Sequence, residues 1–234
     1  MKKRTAIWIF PLAVMGIIIM LNSSCNKKDV NNGSPLVPGI VVDIDGNHYH
    51  TITIGTQVWM VENLKTTRFR DGSSIPLVIL AQAWDTLMTP GYCWYDNDAG
   101  KYKNPYGALY NWYAVNTGKL SPAGWHVPTE AEWSTLTDFL GGSYIAGGKM
   151  KEADTTHWWS PNTGADNSSG FTALPGGVRN NSGSFMSIGE YGGWLSSTED
   201  NYNPSFIFLW CGSSQSTSGY TSPADGFSVR CIKD

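Results

Sequence analysis

The residues of this 234-residue chain that could do chemistry are four cysteines, four histidines and a few clustered carboxylates. His48 and His50 alternate along one strand face and could share a metal, but no third ligand is placed by motif, so they read as polar strand residues. His126, between Trp125 and Val127 just before a helix, reads as a hydrogen-bonded structural imidazole rather than a general base. Asp43-x-Asp45-Gly46-Asn47 resembles the start of a calcium loop, yet Ile54 stands where such a loop needs its twelfth-position Glu, and a turn is the better reading. Asp96-Asn97-Asp98 reads as a surface loop in the same way. No Ser/His/Asp arrangement, phosphate-cradling Gly loop or paired acid and base stands out, so neither metal nor cofactor is expected. Cys93, Cys211 and Cys231 allow at most one internal bridge, and spacing alone leaves its connectivity open.

Rings are the other resource. Trp158, Trp159, Tyr202, Trp210 and Tyr220, with Tyr191 and Trp194 among them, fall in the second half of the chain amid many Asn and Ser. Aromatic faces stack on sugars, and amides both donate to and accept from hydroxyls, so the first five are the candidate ligand-binding residues. The competing reading is that each is core in a domain short of aliphatic strands.

The elements that must position these groups are unequal in clarity. Thr129 with Glu132 forms a capping-box signature; Trp133, Leu136 and Leu140 follow on one helical face with Phe139 beside them, and Gly141-Gly142 supplies a left-handed stop. A second helix is expected to start at Asn104-Pro105 and end at Gly118, with Tyr106, Leu109, Tyr110 and Tyr113 on one side. Asp45-Gly46 and Gly55-Thr56 separate strand-like runs and predict an antiparallel meander. Phe206 to Cys211 and Phe227 to Ile232 are the strongest later strands, expected to pair across a Ser/Gly-rich loop.

Composition places the chain. Eleven Trp, eleven Tyr and 26 Gly with 15% charged residues describe a loop-rich β-containing domain, and a net charge of −3 without a Lys/Arg cluster in the folded part argues against a nucleic-acid partner. Lys2, Lys3 and Arg4 precede an apolar run to Leu21 that Pro11 and Gly16 interrupt, so residues 1–24 read as an export signal rather than a span. Leu21-Asn22-Ser23-Ser24-Cys25 resembles the bacterial lipoprotein box, with Asn22 where that box usually has Leu; this implies lipidation of Cys25 and a membrane partner through that lipid. Residues 25–39, polar and rich in Gly, Pro and Asn, read as a tether, and 40–234 as one domain.

Six ordered stretches, Gly55-Thr-Gln-Val-Trp-Met-Val-Glu-Asn-Leu64, Tyr106-Gly-Ala-Leu-Tyr-Asn-Trp112, Pro122 to Trp133, Leu174-Pro-Gly-Gly177, Ser196-Ser-Thr-Glu199 and Gly226 to Cys231, resemble the Fibrobacter succinogenes major paralogous domain. Such domains occur on exported lipoproteins. Pro128 to Trp133 and Gly226 to Cys231 are also similar to segments of the formylglycine-generating enzyme group, whose C-type-lectin-like α+β fold implies small twisted antiparallel sheets, two helices and long irregular loops. Some relatives carry a Cys where this chain has Ser121; the pairing then expected is Cys93 with Cys231, with Cys211 to Cys231 as the rival. Calcium lectins of this fold use a Glu-Pro-Asn or Gln-Pro-Asp loop, and Asn203-Pro204-Ser205 lacks the acidic partner. The expected protein is noncatalytic, exported and lipid-anchored to the cell envelope at the outer membrane, and it binds or displays, with a glycan or surface protein as partner. A formylglycine-type cysteine oxidase and a structural envelope protein are the alternatives.

Overall fold

The computed structural model describes residues 39–234; the expected export signal, Cys25 and the expected tether up to residue 38 lie outside the described residues. The Asp45-Gly46 turn joins β1 (Ile40–Val42) to β2 (His48–Ile54), and Gly55-Thr56 leads into β3 (Gln57–Met60), giving the expected meander. Gly46 and Gly55 take φ of 80° and 63°, the left-handed backbone that such turns need. Asp43 Oδ1 accepts the Asp45 and Asn47 N–H groups at 2.9 Å each, while Asp45 accepts from Thr66, Thr67 and Arg68. Both carboxylates are thus used up in holding the turn.

The chain continues through α1 (Ala81–Asp85), β4 (Tyr92–Cys93), α2 (Ala99–Tyr106), β5 (Leu109–Tyr110), α3 (Trp112–Val115) and β6 (Trp125–His126). This corrects the expected helix from Asn104 to Gly118. Asp98, from the acidic triplet, caps α2; Pro105 lies in its last turn, Gly107 at φ 75° ends it, and Asn111 caps a separate short helix. Tyr and Leu fill a strand as readily as a helix, and here Leu109 and Tyr110 pair with Cys93 and Tyr92.

The helix announced by the capping box is present as α4 (Glu130–Phe139). Thr129 Oγ1 accepts the Glu132 N–H at 3.2 Å, and Glu132 Oε2 accepts the Thr129 N–H at 2.8 Å. At its end Gly141 N–H bonds Asp138 O and Gly142 N–H bonds Thr137 O, the paired closure of a Schellman motif. Phe139 departs from the expected inner face and lies outside, against Gly55. Next comes α5 (Ser143–Met150), whose Gly147 has no room for a Cβ against the Gln215 carbonyl. Five α-helices and a short 3-10 turn at Tyr95–Asn97 stand among the described residues where two helices were expected.

The remaining strands are β7 (Val178–Arg179), β8 (Phe185–Met186), β9 (Tyr191–Asp200), β10 (Asn203–Trp210), β11 (Ser216–Tyr220) and β12 (Ile232–Lys233). A five-stranded sheet runs β1-β2-β3-β12-β6, a three-stranded one β11-β10-β9, and β4-β5 and β7-β8 make two small pairs. Every strand pairing is antiparallel, so the domain is α+β with several small antiparallel sheets. The expected partnership of the two late strands is corrected. Phe206 to Trp210 lies between β9 and β11, and Ile232 lies opposite Trp59 and His126 in the other sheet. The stretch read as a Ser/Gly loop is itself the partner strand, β11.

Rings dominate the interior. Trp133 of α4 meets Trp59 at 4.7 Å between centroids, Phe171 at 5.9 Å and Trp194 at 6.4 Å, in tilted and edge geometries that aromatic quadrupoles favour. Cys231, Cys211 and Cys93 are all buried and fall in three different hydrophobic clusters. The expected Cys93–Cys231 disulfide and its Cys211–Cys231 rival are corrected accordingly: all three are free thiols.

Candidate functional site

The five candidate rings do not assemble into one site. Trp158 is 1% exposed, and its Nε1–H bonds Ala173 O at 2.8 Å, so the ligand-binding assignment is corrected to core. Trp159, Tyr202, Trp210 and Tyr220 remain 58%, 84%, 48% and 53% exposed. Trp159 borders a shallow depression with Tyr102, Tyr106 and His157. Trp210 borders another with Phe208, Gln215 and Thr217 on one face of the β9-β10-β11 sheet. Tyr202 stands at the β9-β10 hairpin tip, where Asn201 and Tyr202 take φ of 48° and 68°. Such a backbone is costly for a bulky side chain, and strain of this kind gathers at sites with a task.

The opposite face of that sheet forms a cavity of about 180 Å³ between α4 and strands β10 and β11. Helical spacing brings Glu130, Trp133, Thr137 and Asp138 to one side of it, and strand alternation brings Ser205 and Ile207, and Ser216 and Ser218, to the other. Ser205 lies opposite Tyr220 and Ile207 opposite Ser218 across the β10-β11 ladder, so these residues share a face. Tyr220 reaches the rim, its hydroxyl 3.5 Å from Glu130 Oε2. Six buried side-chain polar atoms lack a hydrogen-bond partner among the described residues, and three of them, Trp133 Nε1, Ser205 Oγ and Ser216 Oγ, belong to residues that line this cavity. Buried polar groups are ordinarily paired, so the clustering marks the place.

The histidines are tied to carboxylates. His126 Nδ1 lies 2.7 Å from Asp234 and Nε2 2.8 Å from Glu132; burial opposes the charged ring, but these bonds outweigh it and raise the pKa. His50 contacts Glu62 at 2.6 Å and His157 contacts Glu152 at 2.8 Å. No group of three or more His, Cys, Asp and Glu poised for a metal occurs among the described residues.

Three buried cations escaped the sequence reading. Lys151 Nζ donates to the carbonyls of Thr163, Trp210 and Ser213 at 3.0, 3.2 and 2.8 Å, and burial pushes its pKa down to about 8. Arg179 donates to Gly183, Val78 and Ile79 carbonyls over the Trp84 ring; Arg230 donates to Asn63, Phe171 and Thr172 over the Phe171 ring. None has a carboxylate within ion-pair distance among the described residues. They act as clamps on loop carbonyls, a role that a lone Lys or Arg in sequence does not advertise. Burial also pushes the Cys93 thiol up to about 12 and raises Cys211 and Cys231.

Residues 52–233 match the family described as the Fibrobacter succinogenes major domain. The chain belongs to that family. No curated protein and no solved structure matches it. In this Fibrobacter succinogenes major domain the match takes in the β10-β11 cavity, the four exposed candidate rings and the three buried cations. Its end at residue 233 falls at β12, the strand inserted between β3 and β6.

Proposed function

We propose that this protein is a noncatalytic binding or display module, exported and held by lipid on Cys25 to the cell envelope at the outer membrane, with a C-type-lectin-like arrangement of its α+β domain. The observation that carries the reading is the exposure of Trp159, Tyr202, Trp210 and Tyr220, from 48% to 84%, on a domain that buries most of its other large rings. An exposed indole or phenol offers a flat apolar face with a polar tip, the surface that sugars and protein partners use. Tyr202 supports it further, since a bulky residue at φ 68° is a cost to folding that a contact role would explain. The partner class is a glycan or a surface protein, and the formal net charge of −3 gives no electrostatic pull toward nucleic acid.

The cysteine-oxidase alternative calls for reactive, closely placed thiolates. Burial raising the pKa of Cys211 and Cys231, in two separate clusters, speaks for the binding reading instead. A glycan array probed with the full-length protein is the test. A reproducible hit that weakens on Trp159→Ala, Tyr202→Ala or Trp210→Ala supports the reading, and a blank array together with copper binding by the reduced protein overturns it. Mass spectrometry of the membrane fraction checks the anchor: an unmodified Cys25 would remove it.

A further inference from the structure

We infer that the cavity between α4 and the β10-β11 ladder is a binding site for one neutral, hydroxyl-rich ring, a single saccharide unit. The inference rests on the binding reading and gives it a place and a ligand class that the exposed rings do not. Its first support is the trio of unpartnered atoms. Trp133, Ser205 and Ser216 are 3%, 1% and 5% exposed, they come from three different elements, and Trp133 Nε1, Ser205 Oγ and Ser216 Oγ have no partner among the described residues. Three such groups gathered at one cavity cost stability that an occupant would restore.

The chemistry of the lining selects the occupant by elimination. An indole N–H can only donate, so the inner wall at Trp133 is unsuited to an ammonium or a metal ion. Glu130 and Asp138 stand at the cavity as carboxylates, which disfavour an anion. What remains is an uncharged ligand that accepts from the indole and both donates to and accepts from serine hydroxyls while giving protons to the carboxylates. A polyol does all of these. Trp133 and Ile207 supply the apolar surface against which the C–H face of a ring packs. The volume sets the size: about 180 Å³ is close to the roughly 150 Å³ that encloses one benzene-sized ring, and well under the range for larger ligands. An oligosaccharide would therefore enter by one residue, with the rest of its chain outside, where Tyr220 borders Glu130.

The test follows the Trp133 indole N–H resonance in ¹⁵N-labelled full-length protein, assigned with Trp133→Phe. The probes are glucose, galactose, mannose, N-acetylglucosamine and myo-inositol up to about 50 mM, with glucuronate and glucosamine as charged controls. At least one neutral probe should move that resonance, and the charged controls should bind at least about tenfold more weakly. Ser216→Val, with Thr137→Val as a milder second variant, should weaken binding about tenfold, with near-UV circular dichroism reporting an intact fold. Met88→Ala, an exposed residue outside the cavity lining, should leave it unchanged. No movement with any neutral probe means that the cavity holds water alone, and the inference falls. It falls equally if the charged controls bind as well, or if Ser216→Val and Thr137→Val bind as the unaltered protein does. Array hits that persist in the cavity variants and vanish in Trp210→Ala would sink this site while leaving the binding module standing; a blank array with no resonance shift, together with copper binding by the reduced protein, would sink both.

Discussion

Asn63 Oδ1 faces the Arg230 guanidinium across 167 residues of sequence, accepting from Nε at 3.2 Å and from Nη2 at 2.9 Å. The same oxygen accepts the Trp194 Nε1–H at 2.8 Å, and the Asn63 amide nitrogen donates to Tyr106 O and Ser228 Oγ. One buried amide therefore ties β9, the end of α2 and the segment before β12 to the loop after β3. Replacing it by Ala removes the Asn63 acceptor from the buried Arg230, which keeps its bonds to the Phe171 and Thr172 carbonyls, and leaves the Trp194 indole N–H without its partner. Asn63→Ala is expected to cost about 3 kcal/mol or more, read as a lowered urea midpoint with unchanged slope.

Lys151 is the next clamp. Lys151→Met keeps the apolar stem but leaves the carbonyls of Thr163, Trp210 and Ser213 without their shared donor. A loss of about 3 kcal/mol is expected in denaturant unfolding. A variant as stable as the original would mean that water reaches those carbonyls freely.

The pH dependence of stability should carry two opposite signatures. His126 has a folded pKa raised above its ordinary 6.5, so its contribution is complete below that value and is lost as pH rises through the folded pKa. Lys151 has a folded pKa of about 8 against an ordinary 10.5, so the unfolded chain binds the extra proton between them and stability rises across that window. Melting temperature should fall as pH rises from 6.5 through the raised folded pKa in the unaltered protein and not in His126→Gln. The upward limb above pH 8 should vanish in Lys151→Met.

Ser205 Oγ and Ser216 Oγ are buried without partners, and removing an unsatisfied hydroxyl relieves its desolvation cost. Without ligand, Ser216→Ala should be neutral or raise stability by up to about 1 kcal/mol, whereas most buried substitutions lower it. A loss of more than about 1 kcal/mol would show that the hydroxyl has a structural partner.

Cys93, Cys211 and Cys231 should behave as inert thiols. Alkylation of the folded protein is expected to leave the three peptides unmodified and to modify all of them after unfolding, and reductant should leave the melting temperature unchanged. A linked peptide pair under nonreducing conditions would contradict the free thiols.

Local signals determined a defined share of this protein. Thr129 with Glu132, Gly141-Gly142, Asp45-Gly46 and Gly55-Thr56 each act within a few residues, through a cap, a left-handed residue or a tight turn, so their consequences could be written before any contact was known. The six family stretches likewise carried the domain. Tertiary packing decided the rest. Tyr106 to Tyr113 satisfies helix and strand periods alike, and only the neighbour at Tyr92–Cys93 made Leu109–Tyr110 a strand. Ser216 to Tyr220 has little strand propensity of its own and became one because β10 offered an unpaired edge. Trp158 and Trp159 are adjacent and chemically identical, yet one is sealed in the core and the other stands in solvent. Burial, the pairing of distant carbonyls with Lys151, Arg179 and Arg230, and the cavity at Trp133, Ser205 and Ser216 all arise between segments far apart in the chain, where neither period nor propensity carries information.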